Sequence, residues 1–240
     1  MLFFKKLVRA LASCGGGWQR PTVFRLNPSC ERSTPMEILH VEAHQIPKAA
    51  QVVADAFHHY PMMAHYFPNP DRRRRRLPWY MEKTLRCALR YGEVLATADF
   101  SGILFTLPPG HTRLSQGEYV RNGFLWTPLV MGLQNYLKSD ACEQFVADTH
   151  EKLMAGRSHI YLWGLVADPK AQRKGAGTAL MHSLTARADA EALPVYLETH
   201  DEKNVAYYQR FGFELIHQDV IPNHGLDIWC MAREAAPANI

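Results

Sequence analysis

The sequence predicts one α/β domain, and a strand, a glycine-bearing loop, a helix and a second strand in its C-terminal half carry that prediction. Residues 160–167 are almost continuously apolar, as in a strand buried on both faces, and an Asp-Pro pair ends the run. Apolar residues then recur at helical spacing from Leu180 to Ala188. Residues 195–199 alternate as a second strand. Such a unit predicts two parallel neighbouring strands joined by a right-handed crossover.

The flanking segments add antiparallel strands and helices to this unit. Residues 92–98 and 102–107 predict a hairpin, and residues 213–216 and 226–231 predict a closing antiparallel pair. Further predicted elements are a strand over residues 36–43, a helix from Ile46 to Phe57, helices within residues 115–155, and a short helix over residues 205–210 capped by Asn204.

Composition indicates an ordinary globular protein. The chain has 240 residues, of which 47% are hydrophobic and 21% charged, and its formal net charge is +4. This mild basicity does not require a nucleic-acid partner. Five consecutive arginines, residues 72–76, could form a nucleic-acid or targeting patch, but consecutive positions cover all sides of a helix, which favours a solvated helix start.

The chain begins with a basic segment that lies outside the predicted fold. We expect residues 1–34 to be a flexible leader and residues 36–236 to form the single domain. An organelle transit peptide or a membrane-surface helix is the alternative for the leader. Lys5 and Lys6 interrupt its apolar run, so no membrane span is predicted.

The five cysteines show no spacing typical of a metal site or a disulfide framework. No CxxC is present and no histidine stands at ligand spacing from a cysteine, so we expect no metal. Free, mostly buried thiols indicate a reducing compartment, and we expect a cytoplasmic protein unless the leader directs it to an organelle.

The loop between the first strand and the helix suits a phosphate group. Its glycines let a ligand approach the backbone where the first amides of a helix are unpaired, and its basic residues add charge. It lacks the Gly-Lys-Ser/Thr of a Walker loop and the third glycine of a dinucleotide fingerprint. By itself the loop is also compatible with an ordinary turn between strand and helix.

Several motifs in order resemble the GCN5-related N-acetyltransferase (GNAT) superfamily. Val-Ala-Asp-Pro at residues 166–169 precedes Gln-x-x-Gly-x-Gly at residues 172–177, as in the acetyl-CoA pyrophosphate loop of that superfamily. Residues 54–76, 194–213 and 227–234 further resemble its puromycin N-acetyltransferase branch. The resemblance implies a GNAT-like α/β (α+β) fold: a mixed, mostly antiparallel twisted sheet with a central splayed parallel strand pair and helices on both faces.

The resemblance also implies where acetyl-CoA, the expected co-substrate, binds. Its pantetheine arm would lie between the two splayed strands and its pyrophosphate on the loop. The residues implied in cofactor binding are Leu165, Val166, Ala167, Gln172, Arg173, Lys174, Gly175, Ala176, Gly177 and Asn204.

Two residues are implied in the chemistry of transfer to an amine. Glu198 would take a proton from the amine, directly or through water, although a strand-end surface acid is the alternative. Tyr208, the tyrosine of an Asn-x-x-x-Tyr pattern, would donate a hydrogen bond to the departing sulfur; Tyr207 is the competing tyrosine, and a core aromatic the alternative role.

The acceptor is expected to be a primary amine of a small molecule that attacks directly in a ternary complex. Tyr60, His65 and Trp126 are the predicted substrate-binding residues, and the resemblance also places His58 and His59 near the amine. A protein or peptide acetyltransferase and a non-catalytic CoA-binding sensor are the alternatives. The sequence gives no oligomeric state.

Overall fold

The computed structural model describes residues 36–171 and 174–237, in which seven strands form one sheet. The predicted leader, Gln172 and Arg173 lie outside these residues. The strands are β1 (Ile38–His40), β2 (Glu93–Thr97), β3 (Gly102–Leu107), β4 (Ile160–Ala167), β5 (Val195–Thr199), β6 (Glu214–Ile221) and β7 (Leu226–Arg233). Their order across the sheet is β1-β2-β3-β4-β5-β7-β6.

The sheet is antiparallel except for β4 and β5, which lie side by side and parallel. This confirms the predicted fold class, including the hairpin of β2 and β3 and the closing pair of β6 and β7. Two predicted lengths were wrong. The first strand is only three residues long because a short 3₁₀ turn, Ala43–Gln45, follows it, and β6 continues to Ile221 because β7 pairs with it over its whole length.

Eight α-helices complete the described residues. They are α1 (Ile46–Phe57), α2 (Pro61–Tyr66), α3 (Pro70–Tyr91), α4 (Gln116–Arg121), α5 (Thr127–Met131), α6 (Leu133–Leu153), α7 (Ala176–Ala190) and α8 (Lys203–Gln209). The arginine run lies in the first turns of α3, which Asn69 caps by accepting a hydrogen bond from the backbone N–H of Arg72. Four of the five arginines are exposed, whereas Arg73 is buried and donates to the carbonyl of Phe67.

Successive side chains of the central strands point to opposite faces of the sheet, and a hydrophobic core lies on each face. On one face Ile103 and Phe105 of β3 pack in a cluster with residues of α1, α3 and α6, such as Val53. On the other face Leu104 packs in a cluster with α7, including Leu180. Because helices cover both faces, β3 is buried along its whole length.

Three cysteines in the described residues, Cys87, Cys142 and Cys230, are free and buried, as predicted. Among the described residues no helix is long and apolar enough to cross a membrane.

Candidate active site

The parallel strands β4 and β5 part soon after they meet. Their pairing includes only Ile160 with Val195 and Tyr161 with Tyr196, although β4 continues to Ala167 and β5 to Thr199. On its other side β4 stays paired with β3 as far as Ala167. The backbone edge of β4 beyond Tyr161 therefore faces a gap, in which its N–H and C=O groups are free to bind an extended ligand. Leu165, Val166 and Ala167 lie on this edge, as predicted.

A bulge in β4 marks the point where the strands part. Phe105 is paired with Gly164 and Thr106 with Leu162, so Trp163 is the extra residue. Gly164 is required here because a Cβ at this position would lie 2.2 Å from the Phe105 ring. The glycine thus lets β4 bend while the aromatic side chain of β3 stays packed beneath it.

The loop glycines at the start of α7 have different surroundings. Gly175 has a φ of +86°, which favours glycine, and a Cβ there would meet no atom within 4 Å. At Gly177 a Cβ would instead lie 2.9 Å from the Tyr207 hydroxyl. Space for a ligand is therefore open at Gly175, whereas the room left by Gly177 is taken by a side chain of α8. Lys174 beside them is exposed and Ala176 is buried.

Glu198 lies near the end of β5, where the strands have separated. One of its carboxylate oxygens, Oε1, accepts a hydrogen bond from the Tyr161 hydroxyl, whereas Oε2 is buried without a hydrogen-bond partner among the described residues. Burial raises the pKa of Glu198 to about 8, although the hydrogen bond from Tyr161 lowers it. A buried carboxyl that titrates near neutral pH and keeps one free oxygen can exchange a proton with a bound ligand.

Tyr60 closes this end of β5 from the side of α2. Its hydroxyl accepts a hydrogen bond from the backbone N–H of His200 at 2.7 Å and lies 3.2 Å from Oγ1 of Thr199. Oγ1 of Thr199 also accepts from Nδ2 of Asn204 at 2.9 Å. Asn204 lies inside α8, whose N-cap is Glu202, so the predicted cap was wrong. Its amide is used to hold α8 against the end of β5.

Tyr208 lies on α8 with its side chain only 8% exposed. Burial raises its pKa above the ordinary value, and nearby Tyr60, Tyr207 and Glu198 raise it further. The phenol therefore stays protonated at neutral pH and acts as a hydrogen-bond donor. These interactions also show that Tyr60, Glu198 and Tyr208, predicted from separate motifs, lie in one neighbourhood.

Sequence reasoning missed two groups beside this neighbourhood. Tyr161 was counted only as part of an apolar run, and Glu143 only as one polar position among helices. Glu143 accepts a hydrogen bond from the Tyr66 hydroxyl at 2.9 Å, and burial raises its pKa to about 7. A phenol within an otherwise apolar buried strand was the available signal for Tyr161. The sequence around Glu143 contains no comparable signal.

The other predicted substrate-binding residues lie apart from Glu198 in the described contacts. Nε2 of His65 lies 3.1 Å from Nδ1 of His224, in the turn between β6 and β7. Trp126 is 58% exposed. A surface cleft of about 530 Å³ lies elsewhere, between the loop after β3 and the end of α6, and its arginines are paired with acidic side chains.

Comparison with known proteins finds that this chain is similar to acetyltransferases. The model of the acetyltransferase (GNAT) family matches residues 130–213, which include β4, the loop, β5 and α8. An uncharacterised N-acetyltransferase of Schizosaccharomyces pombe is 27% identical over 190 residues, which cover 74% of either chain.

Solved structures share the fold at low sequence identity. A Corynebacterium glutamicum protein described as a histone acetyltransferase and related acetyltransferase has a TM-score of 0.59 and 17% identity, covering 85% of this chain and 98% of its own. Arylalkylamine N-acetyltransferase 2 from Aedes aegypti has a TM-score of 0.56 and 10% identity, covering 83% and 99%.

Proposed function

We propose that this chain, which is similar to GNAT-family N-acetyltransferases, transfers the acetyl group of acetyl-CoA to a primary amine of a small molecule, by direct attack in a ternary complex. The single observation that carries this proposal is the short β4–β5 pairing. It leaves a strand edge open beside Glu198 and Tyr208, so a ligand lying along β4 would end next to both side chains.

The residues around the gap fit acetyl-CoA. The edge of β4 at Leu165, Val166 and Ala167 offers backbone groups to the amides of a pantetheine arm. The open space at Gly175 and the unpaired amides at the start of α7 suit a pyrophosphate, and exposed Lys174 adds positive charge. Bound there, acetyl-CoA supplies a thioester carbonyl to the acceptor. The chain itself orients the ends of both substrates and excludes water.

Glu198 is proposed as the general base. An amine is mostly protonated at neutral pH and attacks only as the neutral form, so a proton must leave it. Oε2 of Glu198 has no hydrogen-bond partner among the described residues and is therefore available to accept that proton. Tyr161 holds the carboxyl in place through Oε1. The ammonium group first loses one proton to water through Glu198. As the new C–N bond forms and the C–S bond breaks, the nitrogen gives a second proton to Glu198, which passes it to water, and the thiolate leaves with the electron pair of the C–S bond and takes a proton from solvent.

Tyr208 is proposed to stabilise the sulfur as it departs. Its raised pKa keeps the phenol protonated at neutral pH, so it donates a hydrogen bond to the thiolate rather than acting as a base. Its position on α8, which Asn204 fastens to the end of β5, keeps it beside the gap.

The surroundings of Glu198 favour a small acceptor. Burial of its carboxyl and the cover provided by Tyr60 suit a compact ammonium group near an aromatic side chain. Within this class, the sequence motifs favour a puromycin-like amine. A peptide N-terminus is the competing acceptor, and a direct comparison of the two decides between them.

The test is an amine screen that measures thiol released from acetyl-CoA. The panel contains puromycin, arylalkylamines, other small primary amines and peptides with free N-termini. We expect a small amine to give the highest kcat/KM. Glu198→Gln should lower kcat by about 10²- to 10⁴-fold, and Tyr208→Phe by up to about 10²-fold. Acetyl-CoA binding, measured by calorimetry, should change little in either variant.

Tyr207→Phe is the matched control for Tyr208→Phe, since it removes the neighbouring hydroxyl on the same helix, and its effect on kcat should be much smaller. In the parent protein kcat/KM should rise with pH through about 8 as Glu198 loses its proton, and Glu198→Gln should keep only the rise caused by deprotonation of the free amine. Unchanged amine-dependent thiol release in both Glu198→Gln and Tyr208→Phe would remove their proposed roles. A peptide that outperforms every small amine would replace the proposed acceptor class.

A further inference from the structure

We propose that His65, Cys142 and His224 form a binding site for a zinc ion. Their potential ligand atoms, one imidazole nitrogen from each histidine and the thiol sulfur, all lie within 4.8 Å of one another. The three residues are far apart in the sequence, so ligand spacing along the chain could not indicate this site.

The distance between the two imidazole nitrogens is close to the value that a tetrahedral zinc site requires. In a tetrahedral site with zinc–nitrogen bonds of about 2.0–2.1 Å and zinc–sulfur bonds of about 2.3 Å, neighbouring ligand atoms are about 3.3–3.6 Å apart. Nε2 of His65 and Nδ1 of His224 are 3.1 Å apart, and their rings meet edge to face at 86°. The two nitrogens face each other, and side-chain movements that separate them slightly and bring the Cys142 sulfur closer would admit the ion.

Three separate elements supply the ligands. His65 is on α2, Cys142 on α6 and His224 in the turn between β6 and β7. Cys142 is fully buried on a long helix, which fixes the position of its sulfur, whereas both histidines are partly exposed. An ion can thus enter from the side of the histidines. Once bound, it would fasten the β6–β7 turn to α2 and α6.

The donor set selects the metal by its chemistry. A thiolate with two neutral imidazoles suits a borderline-soft ion such as Zn²⁺ and not Mg²⁺ or Ca²⁺, which prefer oxygen ligands. Three protein ligands leave the fourth position to water. On binding, the Cys142 thiol gives its proton to solvent and a zinc–sulfur bond forms. The histidine that donates the hydrogen bond between the two rings carries its proton on its other nitrogen instead, so one proton is released per ion.

The test of this site does not use acetyl transfer. Full-length protein without an affinity tag is freed of metal with a chelator and titrated with Co²⁺, whose bond to a thiolate gives a charge-transfer absorption band. We expect one equivalent to bind with this band, and Zn²⁺ to displace it. Calorimetry with Zn²⁺ should give the same stoichiometry.

Variants show whether the three residues are the ligands. Cys142→Ser should abolish the band, and His224→Gln should weaken Zn²⁺ binding by more than about tenfold. His59→Gln and Cys87→Ser are matched controls outside the cluster and should bind as the parent does. A double variant, Cys14→Ser with Cys30→Ser, should also keep the band, which separates the site from the N-terminal thiols.

Absence of a thiolate band in the parent protein would overturn the proposal, as would a band that persists in Cys142→Ser or disappears in the double variant. Circular dichroism checks that each variant is folded. If Cys142→Ser does not fold, His224→Gln decides the matter, because its residue lies in a partly exposed turn. Undiminished Zn²⁺ binding in that variant then rules the site out.

Discussion

Glu198 provides a base for the proposed reaction and also makes the folded protein sensitive to pH. Burial raises its pKa from 4.5 to about 8, so over this interval the carboxyl is ionised in the unfolded chain and protonated in the folded one. Below pH 4.5 it is protonated in both states and its contribution to stability is fully present. As the pH rises towards 8 that contribution is lost, because unfolding then releases the proton.

Replacing this carboxyl with an amide should therefore stabilise the protein at high pH. Relative to the parent, the free energy of unfolding of Glu198→Gln should improve by about 1.4 kcal/mol for each pH unit between pH 5 and 8. Denaturant unfolding at several pH values measures this difference.

Glu214→Gln, which changes an exposed glutamate at the start of β6, is the control and should show no such trend. A difference between Glu198→Gln and the parent that is constant from pH 5 to 8 would mean that Glu198 has an ordinary pKa in the folded protein.

At the scale of single residues, sequence motifs identified the side chains proposed for catalysis but did not predict which residues those side chains contact. Glu198 and Tyr208 follow from motif positions, and the structure brings their side chains near one another. The hydrogen bond from Tyr161 could not be predicted, because it depends on the register of two parallel strands that the sequence does not encode locally. His65 comes from the segment of residues 54–76 that carries the resemblance, whereas Trp126 comes from helices in which resemblance gives little positional information.

At the scale of elements, the start of α7 depends on how α8 packs against it. The sequence predicts the same role for both loop glycines, close approach of a ligand, and the space at Gly175 is open. Gly177 instead makes room for the Tyr207 hydroxyl, which is buried without a hydrogen-bond partner among the described residues.

This packing predicts a coupling between Gly177 and Tyr207. Alanine is a better helix former than glycine by up to about 1 kcal/mol, but in the parent its Cβ would clash with the hydroxyl, and such overpacking costs about 1–3 kcal/mol. Gly177→Ala should therefore be neutral or destabilising in the parent. In a Tyr207→Phe background the nearest ring atom is the Cζ, 3.8 Å away, and the same change should be stabilising.

Denaturant unfolding of the two single variants and the double variant gives this coupling energy, which should be about 1 kcal/mol or more. Additive effects would show that the hydroxyl does not limit the space at Gly177. Gly175→Ala is the contrasting variant. It should destabilise the protein in both backgrounds, because its φ of +86° is unfavourable for alanine and Tyr207 does not contact it.

At the scale of the whole molecule, hydrophobic periodicity predicted the individual elements of the central sheet, whereas the sheet architecture followed from the resemblance. The strands β2 to β5 and helices α1 and α7 are long or strongly patterned, and they were placed correctly. The helices on the proposed acceptor side, α2 and α4 to α6, could not be placed from the sequence, because they are mostly short or of mixed polarity. Their positions depend on tertiary contacts such as the hydrogen bond between Tyr66 and Glu143.

The proposed acetyl-CoA site has two parts, the strand edge in the gap between β4 and β5 and the start of α7. Different fragments of the coenzyme should bind to each part. Amides in an open strand edge and at a helix start exchange with solvent unless a ligand covers them. Hydrogen exchange followed by mass spectrometry should therefore show acetyl-CoA slowing exchange in residues 163–167 and 174–178. ADP, which has the diphosphate without the arm, should protect only residues 174–178, and pantetheine only residues 163–167. The turn between β6 and β7 serves as the internal control, because no part of the proposed ligand reaches it. Protection of that turn by ADP, or absence of protection at residues 163–167 with acetyl-CoA bound, would place the coenzyme elsewhere on the sheet.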